Sequence, residues 1–184
     1  MKNKLGVDLT ALILLAIFIS GCTEETTTEP SEENLLINTS FEENGYFSSD
    51  GWTLSTQSDS SKDVPTNGGN YSLLLKANWF PELYSEIKVP VLSQYNNYKL
   101  SFWSKSTGVT SGIYGRSILS LLRNGSILKS KSIIVDDIIW RSYTIVDTFN
   151  VSEGDSFLVQ LTAGISQLLP GETYFDLCKL EAVE

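Results

Sequence analysis

Tyr98-Lys99-Leu100-Ser101-Phe102-Trp103-Ser104-Lys105 largely alternates apolar and polar side chains. Successive side chains leave a pleated strand on opposite sides, so a period of two marks a β-strand with one buried face. Tyr98, Leu100 and Phe102 therefore share the core face, and Ser101, Trp103 and Lys105 the other. Working outward, similar short alternating or β-branched stretches recur, separated by Gly, Asn, Ser and Asp. They predict strands over Leu35–Asn38, Trp52–Gln57, Tyr71–Lys76, Leu83–Val89, Tyr98–Lys105, Ser117–Arg123, Ile127–Val135, Arg141–Phe149, Phe157–Ala163 and Thr173–Glu181. Arg123-Asn124-Gly125-Ser126 is the sharpest hairpin signal, because Asn-Gly accepts the positive φ angles of a type I′ turn. In the closing stretch, strict alternation puts Tyr174, Asp176, Cys178 and Leu180 on one face, an unusual place for an aspartate. No long segment beyond Asn34 carries a helical period. The reading is all-β, an antiparallel sandwich or barrel.

The N-terminus differs in kind. Lys2 and Lys4 precede an apolar run from Leu9 to Ile19, broken only by Thr10 and short for a permanent membrane span. The run ends in Ile19-Ser20-Gly21-Cys22, which resembles the lipobox of bacterial lipoproteins. That resemblance implies a signal peptide over 1–21, cleaved before a lipidated Cys22. Each buried acyl methylene contributes about 0.8 kcal/mol to the anchoring. From Thr23 to Glu33 the sequence TEETTTEPSEE has nothing apolar to bury, so 22–33 reads as a disordered tether. Glu24-Glu25 resembles the acidic surface-export signal of some lipoproteins. The expected location is the cell envelope, lipid-anchored in the outer membrane and facing the surface. The folded unit is then 34–184, long enough for one domain with its own core.

Composition removes several function classes. The formal net charge is −9, and a nucleic-acid partner would need a basic surface. With Cys22 lipidated, Cys178 has no partner for a disulfide and reads as buried and inert. The chain has no histidine, which excludes Ser-His-Asp and Cys-His catalysis and histidine zinc sites. The acid pairs Glu42-Glu43 and Asp136-Asp137 are sequence neighbours, which strands point to opposite faces. The domain therefore reads as non-catalytic.

Five stretches in order resemble jelly-roll carbohydrate-binding modules of the galactose-binding-like fold, of the xylan- and β-glucan-binding type. They are Asn34-Leu35-Leu36-Ile37-Asn38-Thr39-Ser40-Phe41-Glu42 with Gly51-Trp52, Gly69-Asn70-Tyr71-Ser72-Leu73, the Tyr98–Lys105 stretch, Trp140-Arg141-Ser142-Tyr143 with Phe149, and Phe175-Asp176-Leu177-Cys178-Lys179-Leu180. The resemblance implies a jelly-roll β-sandwich and, near the chain ends, a structural calcium ion. Glu42 and Asp176 fall on the matching acidic positions, with carbonyls from the Gly68–Tyr71 loop, and Ca²⁺ takes six to eight oxygens. Leu177 stands where a second acid often follows. The alternative is that Asp176 caps backbone amides or pairs with a lysine.

A glycan site pairs flat aromatics with polar side chains. Trp52, Trp140, Tyr71, Phe102, Tyr143 and Phe149 read as core. Ala77-Asn78-Trp79-Phe80-Pro81-Glu82-Leu83-Tyr84 places two adjacent bulky rings beside a proline, and one regular strand cannot bury both. Trp79 is the preferred stacking platform, followed by Phe80 and Tyr84. Tyr114, in a glycine-rich stretch, and Trp103 are further candidates. Arg116, Gln160 and Asn78 are candidate hydroxyl partners. Two functions follow: a surface module that binds polysaccharide, or a structural or protein-interaction lipoprotein built on the same sandwich with an envelope protein as partner.

Overall fold

The computed structural model describes residues 33–78, 81–107, 115–165 and 171–184. The N-terminal apolar run, read as a signal peptide, Cys22 and residues 23–32 lie outside the described residues. Eleven strands succeed one another there: β1 (Glu42–Glu43), β2 (Tyr46–Phe47), β3 (Ser58–Ser61), β4 (Ser72–Lys76), β5 (Ser85–Pro90), β6 (Asn97–Thr107), β7 (Gly115–Arg123), β8 (Ser126–Val135), β9 (Arg141–Thr148), β10 (Ser156–Thr162) and β11 (Glu172–Val183). They form a four-stranded sheet, β5-β10-β7-β8, a five-stranded sheet, β3-β4-β11-β6-β9, and the small hairpin β1-β2. Every strand pair is antiparallel. This is the all-β sandwich that the sequence predicts.

Alternation explains the core. Along β6, Tyr98, Leu100 and Phe102 are buried while Lys99, Ser101 and Trp103 are half-buried on the outer face. Facing them across the sandwich are Phe157, Val159 and Leu161 of β10 and Leu119 and Leu121 of β7. Phe102 stacks on Tyr143 with ring centroids 5.7 Å apart, and Tyr98 meets Phe157 edge-on at 4.5 Å. The Tyr98 hydroxyl donates to the Leu92 carbonyl at 2.7 Å, so this buried phenol is satisfied. Asn124 (φ 51°) and Gly125 (φ 78°) make the predicted turn between β7 and β8. Asn44 (φ 52°) and Gly45 (φ 82°) make a second one, between β1 and β2, which the sequence reading does not single out.

Three expectations change. Leu35–Asn38 is no regular strand. The segment lies beside β11, where the Leu35 amide donates to the Leu180 carbonyl. The Asn34 side chain does the rest: its Oδ1 accepts from Leu180 N at 2.9 Å and its Nδ2 donates to Cys178 O. Positive φ at Asn38 and Phe41 then bends the chain out of register. Trp52–Gln57 shrinks to one bridge, Thr53 with Glu86, because the Ser55 amide donates to the Ser85 hydroxyl and Ser58 begins a polar edge strand. Finally, β11 carries a bulge between Asp176 and Lys179, where Leu177 has φ 50°. The extra residue breaks strict alternation. Asp176 stays opposite Trp103, whereas Phe175, Cys178, Leu180 and Ala182 are buried in the core cluster. Asp176 therefore does not share a face with Cys178 and Leu180.

Replacing Phe102 by Ala should cost about 3–5 kcal/mol of unfolding free energy, read by urea denaturation. Replacing Val146, which is 57% exposed on the outer face of β9, should stay within about 0.5 kcal/mol.

Candidate functional site

Two places gather groups with chemical purpose, on opposite outer faces of the sandwich. The first is the outer face of the four-stranded sheet. Ile87 and Val89 of β5 point inward, so Glu86 and Lys88 point outward. By the same parity Gln160 of β10 and Arg116 and Ile118 of β7 face out, and Gln160 is the register partner of both Glu86 and Ile118. Arg116 Nε donates to Glu82 Oε1 at 3.1 Å, its Nη2 donates to Glu82 Oε2, and the same Nη2 reaches the Tyr84 hydroxyl at 3.3 Å. The Tyr84 hydroxyl donates to Glu82 at 2.6 Å, and Gln160 Nε2 donates to Glu86 at 3.0 Å. The Glu82 contacts raise the Arg116 pKa further, and burial together with Glu82 raises that of Tyr84. The donors and acceptors of this face are thus fixed by bonds to one another, with Arg116 electrically balanced by Glu82.

Tyr84, Arg116 and Gln160 were singled out from sequence and meet on this face. Trp103 does not join them: it lies on the outer face of the other sheet, opposite Asp176 and Ser142. Trp79, Phe80 and Tyr114 lie outside the described residues. Asn78 bridges to Ile165 at the same end of the sandwich. Glu82 and Glu86 escaped the sequence reading. Their spacing is the signal, since Glu82, Tyr84, Glu86 and Lys88 share one parity.

The second place is a pair of carboxylates. Glu42, on β1, accepts the backbone amides of Asn70 and Tyr71 through Oε1. Asp176 is fully buried; its Oδ1 accepts the Leu177 amide at 2.7 Å, and its Oδ2 has no hydrogen-bond partner. Burial first, and then repulsion from Glu42, pushes the Asp176 carboxyl up to about 7. The two acids press on adjacent glycines. A Cβ on Gly68 would lie 2.4 Å from Asp176 Oδ2, and one on Gly69 would lie 2.7 Å from both Glu42 oxygens. Asp176 is therefore half capped by an amide and has no lysine partner. An orphaned buried oxygen, a second carboxylate and a glycine cradle fit a hard cation. Among the described residues no cluster of three or more His, Cys, Asp or Glu forms, so further oxygens would come from backbone carbonyls or water.

The outer face above this pair corrects another expectation. Trp140 is not core. It is half-buried, its indole N–H donates to Asp63 Oδ1 at 2.9 Å, and its ring meets Tyr174 edge-on at 6.2 Å. Parity would have shown this: Tyr143 packs against the core and Ile145 lies in it, so residues 140 and 142 face out. Tyr71 is likewise half-buried, with the Lys62 ammonium 5.3 Å from its ring centroid. Trp52 is core as expected, 6% exposed and 5.2 Å from Phe41. Cys178 is buried, and burial raises its thiol pKa.

No protein-family model matches the sequence, and no curated protein matches it. Solved structures do match the fold. The enzymatically active domain of bacteriophage CBA120 tailspike protein 4 superposes with a TM-score of 0.62 at 15% identity, over 82% of this chain and 21% of that one. This chain thus spans about a fifth of the tailspike domain. A family 16 carbohydrate-binding module gives 0.58 at 22% identity, over 82% of this chain and 100% of that one. The module TmCBM61, in complex with β-1,4-galactotriose, gives 0.55 at 16% identity, over 82% of this chain and 99% of that one. The shared feature is the β-sandwich of carbohydrate-binding modules.

Proposed function

We propose that this domain is a non-catalytic module that binds neutral polysaccharide on the outer face of its four-stranded sheet. The observation that carries the reading is the Glu82–Arg116–Tyr84 network beside the Glu86–Gln160 pair. Sugar hydroxyls both donate and accept, and this row offers carboxylates, a guanidinium and an amide in fixed positions. One module that shares this sandwich, TmCBM61, is solved in complex with β-1,4-galactotriose. The neutral class follows from charge: Arg116 is already matched by Glu82, Lys88 offsets Glu86 on the same face, and the chain carries −9 overall. A polyuronate would meet repulsion. Trp79, Phe80 and Tyr114 would add the stacking rings.

Two further parts complete the proposal. Glu42 and Asp176 hold a structural Ca²⁺, which supplies the partner that Asp176 Oδ2 lacks. Lipidated Cys22 anchors the module in the cell envelope, at the outer membrane and facing the surface. A protein partner in place of a glycan is the competing reading, favoured by Ile127 (60% exposed) and Leu128 (51%) on the edge strand β8.

Affinity electrophoresis of the full chain in mild detergent, through gels containing neutral or acidic polysaccharides, tests the main proposal. Retardation is expected only in neutral gels, and Arg116→Ala or Gln160→Ala should weaken it about 10- to 100-fold. Trp103→Ala should leave it unchanged, since Trp103 faces the other way. No retention in any gel would shift the weight to a protein partner.

A second prediction concerns pH. Between 3.8, the ordinary value, and about 7, the fold holds a proton on Asp176 that the unfolded chain has released. That contribution is complete below about pH 4 and is lost as the pH rises through 7. In chelator the melting temperature should therefore fall over this range, and calcium should restore it at pH 7. Asp176→Asn should remove both effects; a calcium shift that survives it would refute the ion site.

For the anchor, Cys22→Ser should abolish incorporation of labelled palmitate in a bacterial host. Undiminished labelling would exclude lipidation at Cys22.

A further inference from the structure

Residues 62–71 leave and rejoin the five-stranded sheet at paired positions, because Ser61 is the register partner of Ser72. A loop of this length with adjacent ends is an Ω-loop. It lies across the sheet and is held at both ends. At its start, the Asp63 carboxylate accepts the Trp140 indole N–H at 2.9 Å and pairs with Lys105, and the Asp63 carbonyl accepts the Ser72 hydroxyl at 2.7 Å. Lys105 is itself enclosed, its ammonium 4.9 Å from the Tyr174 ring centroid and 5.6 Å from that of Trp140. Its side chain is only 12% exposed, so this ion pair is screened less than an ordinary surface pair.

At its far end the loop sits on the two carboxylates. Gly68 rests against Asp176 and Gly69 against Glu42, while the amides of Asn70 and Tyr71 hold Glu42. Between the two ends the chain makes a tight turn, with Gly68 N donating to Pro65 O at 2.9 Å and Asn67 at φ 68°. There is little slack. When both carboxylates are charged they repel, and Glu42 can move away from Asp176 only by taking these two amides with it. A divalent cation between them reverses the push.

We propose that residues 62–71 form a strap with two coupled clips, one set by a cation at Glu42 and Asp176 and the other by Asp63 on Lys105 and Trp140. The inference rests on the calcium reading above. It assigns Asp63, Lys105 and Trp140 as positioning residues for a cation that they do not touch. Coupling is reciprocal, so weakening the Asp63 clip must weaken cation binding.

Hydrogen exchange with mass spectrometry, together with calorimetric calcium titration, tests this on the full chain in detergent. Calcium should slow exchange across 62–71 tenfold or more, including residues 62–66 at the Asp63 clip. Asp63→Ala should weaken calcium binding about fivefold. Lys105→Ala should do the same, which guards against a folding defect peculiar to either variant. Calcium binding with unchanged exchange at 62–66, or with equal affinity in both variants, overturns the strap and leaves the ion site standing. Absence of calcium binding in the unmodified chain overturns the ion site and the cation-set strap together.

Discussion

β11 is the middle strand of the five-stranded sheet, and it has to supply both a hydrophobic core and a buried carboxylate. Strict alternation cannot do this with Phe175-Asp176-Leu177-Cys178 in sequence. The bulge at Leu177 resolves the conflict: one residue at positive φ lets Phe175 and Cys178 both reach the core while Asp176 stays on the outer side. The rest of the molecule is arranged around that choice. An aspartate there is costly unless something answers its charge; the Leu177 amide meets one oxygen, Glu42 beside it adds repulsion, and two glycines make room for the loop that covers the pair.

The two outer faces consequently differ. Over the five-stranded sheet, residues 62–71 with Asp63, Lys105, Trp140 and Tyr174 build a covering layer. Burial first, then Glu172 and the charge of Asp63, raise the Tyr174 phenol to about 12. Over the four-stranded sheet, the outward side chains of Arg116, Glu86 and Gln160 are matched among themselves and with Glu82 and Tyr84 instead. Holding polar groups in satisfied pairs reduces the ordering needed when a ligand arrives.

Much of this was legible in the sequence, for a physical reason. β6, β7, β10 and β11 have one face in the core over most of their length, and burial imposes a period that can be counted. The same parity would have placed Trp140 outside the core and put Glu82 and Glu86 beside Tyr84. Those misses came from weighing residue type above position. Other features had no such signal. β3, Ser58-Asp59-Ser60-Ser61, is an edge strand without an apolar residue, and the ladder alone makes it a strand. Nothing in Phe175–Leu180 marks Leu177 for positive φ, because a leucine there is held by its surroundings and not by preference. The Asn34–Glu42 motif was recognisable, yet its working was not: Asn34 substitutes its side-chain amide for a peptide beside β11, and Phe41 reaches the core with positive φ.

The position of the N-terminal entry also matters mechanically. Asn34 and Leu35 are fastened at Leu180 and Cys178, whereas Gly115, next to Arg116, abuts Thr173 near the start of the same strand. The two points lie roughly 20 Å apart along β11. A pull between a tethered N-terminus and a load held at Arg116 would enter on β11, run lengthwise along it and cross the core to β7 in the other sheet. The ladders flanking both strands would then be loaded in shear, and would not open one at a time from an end.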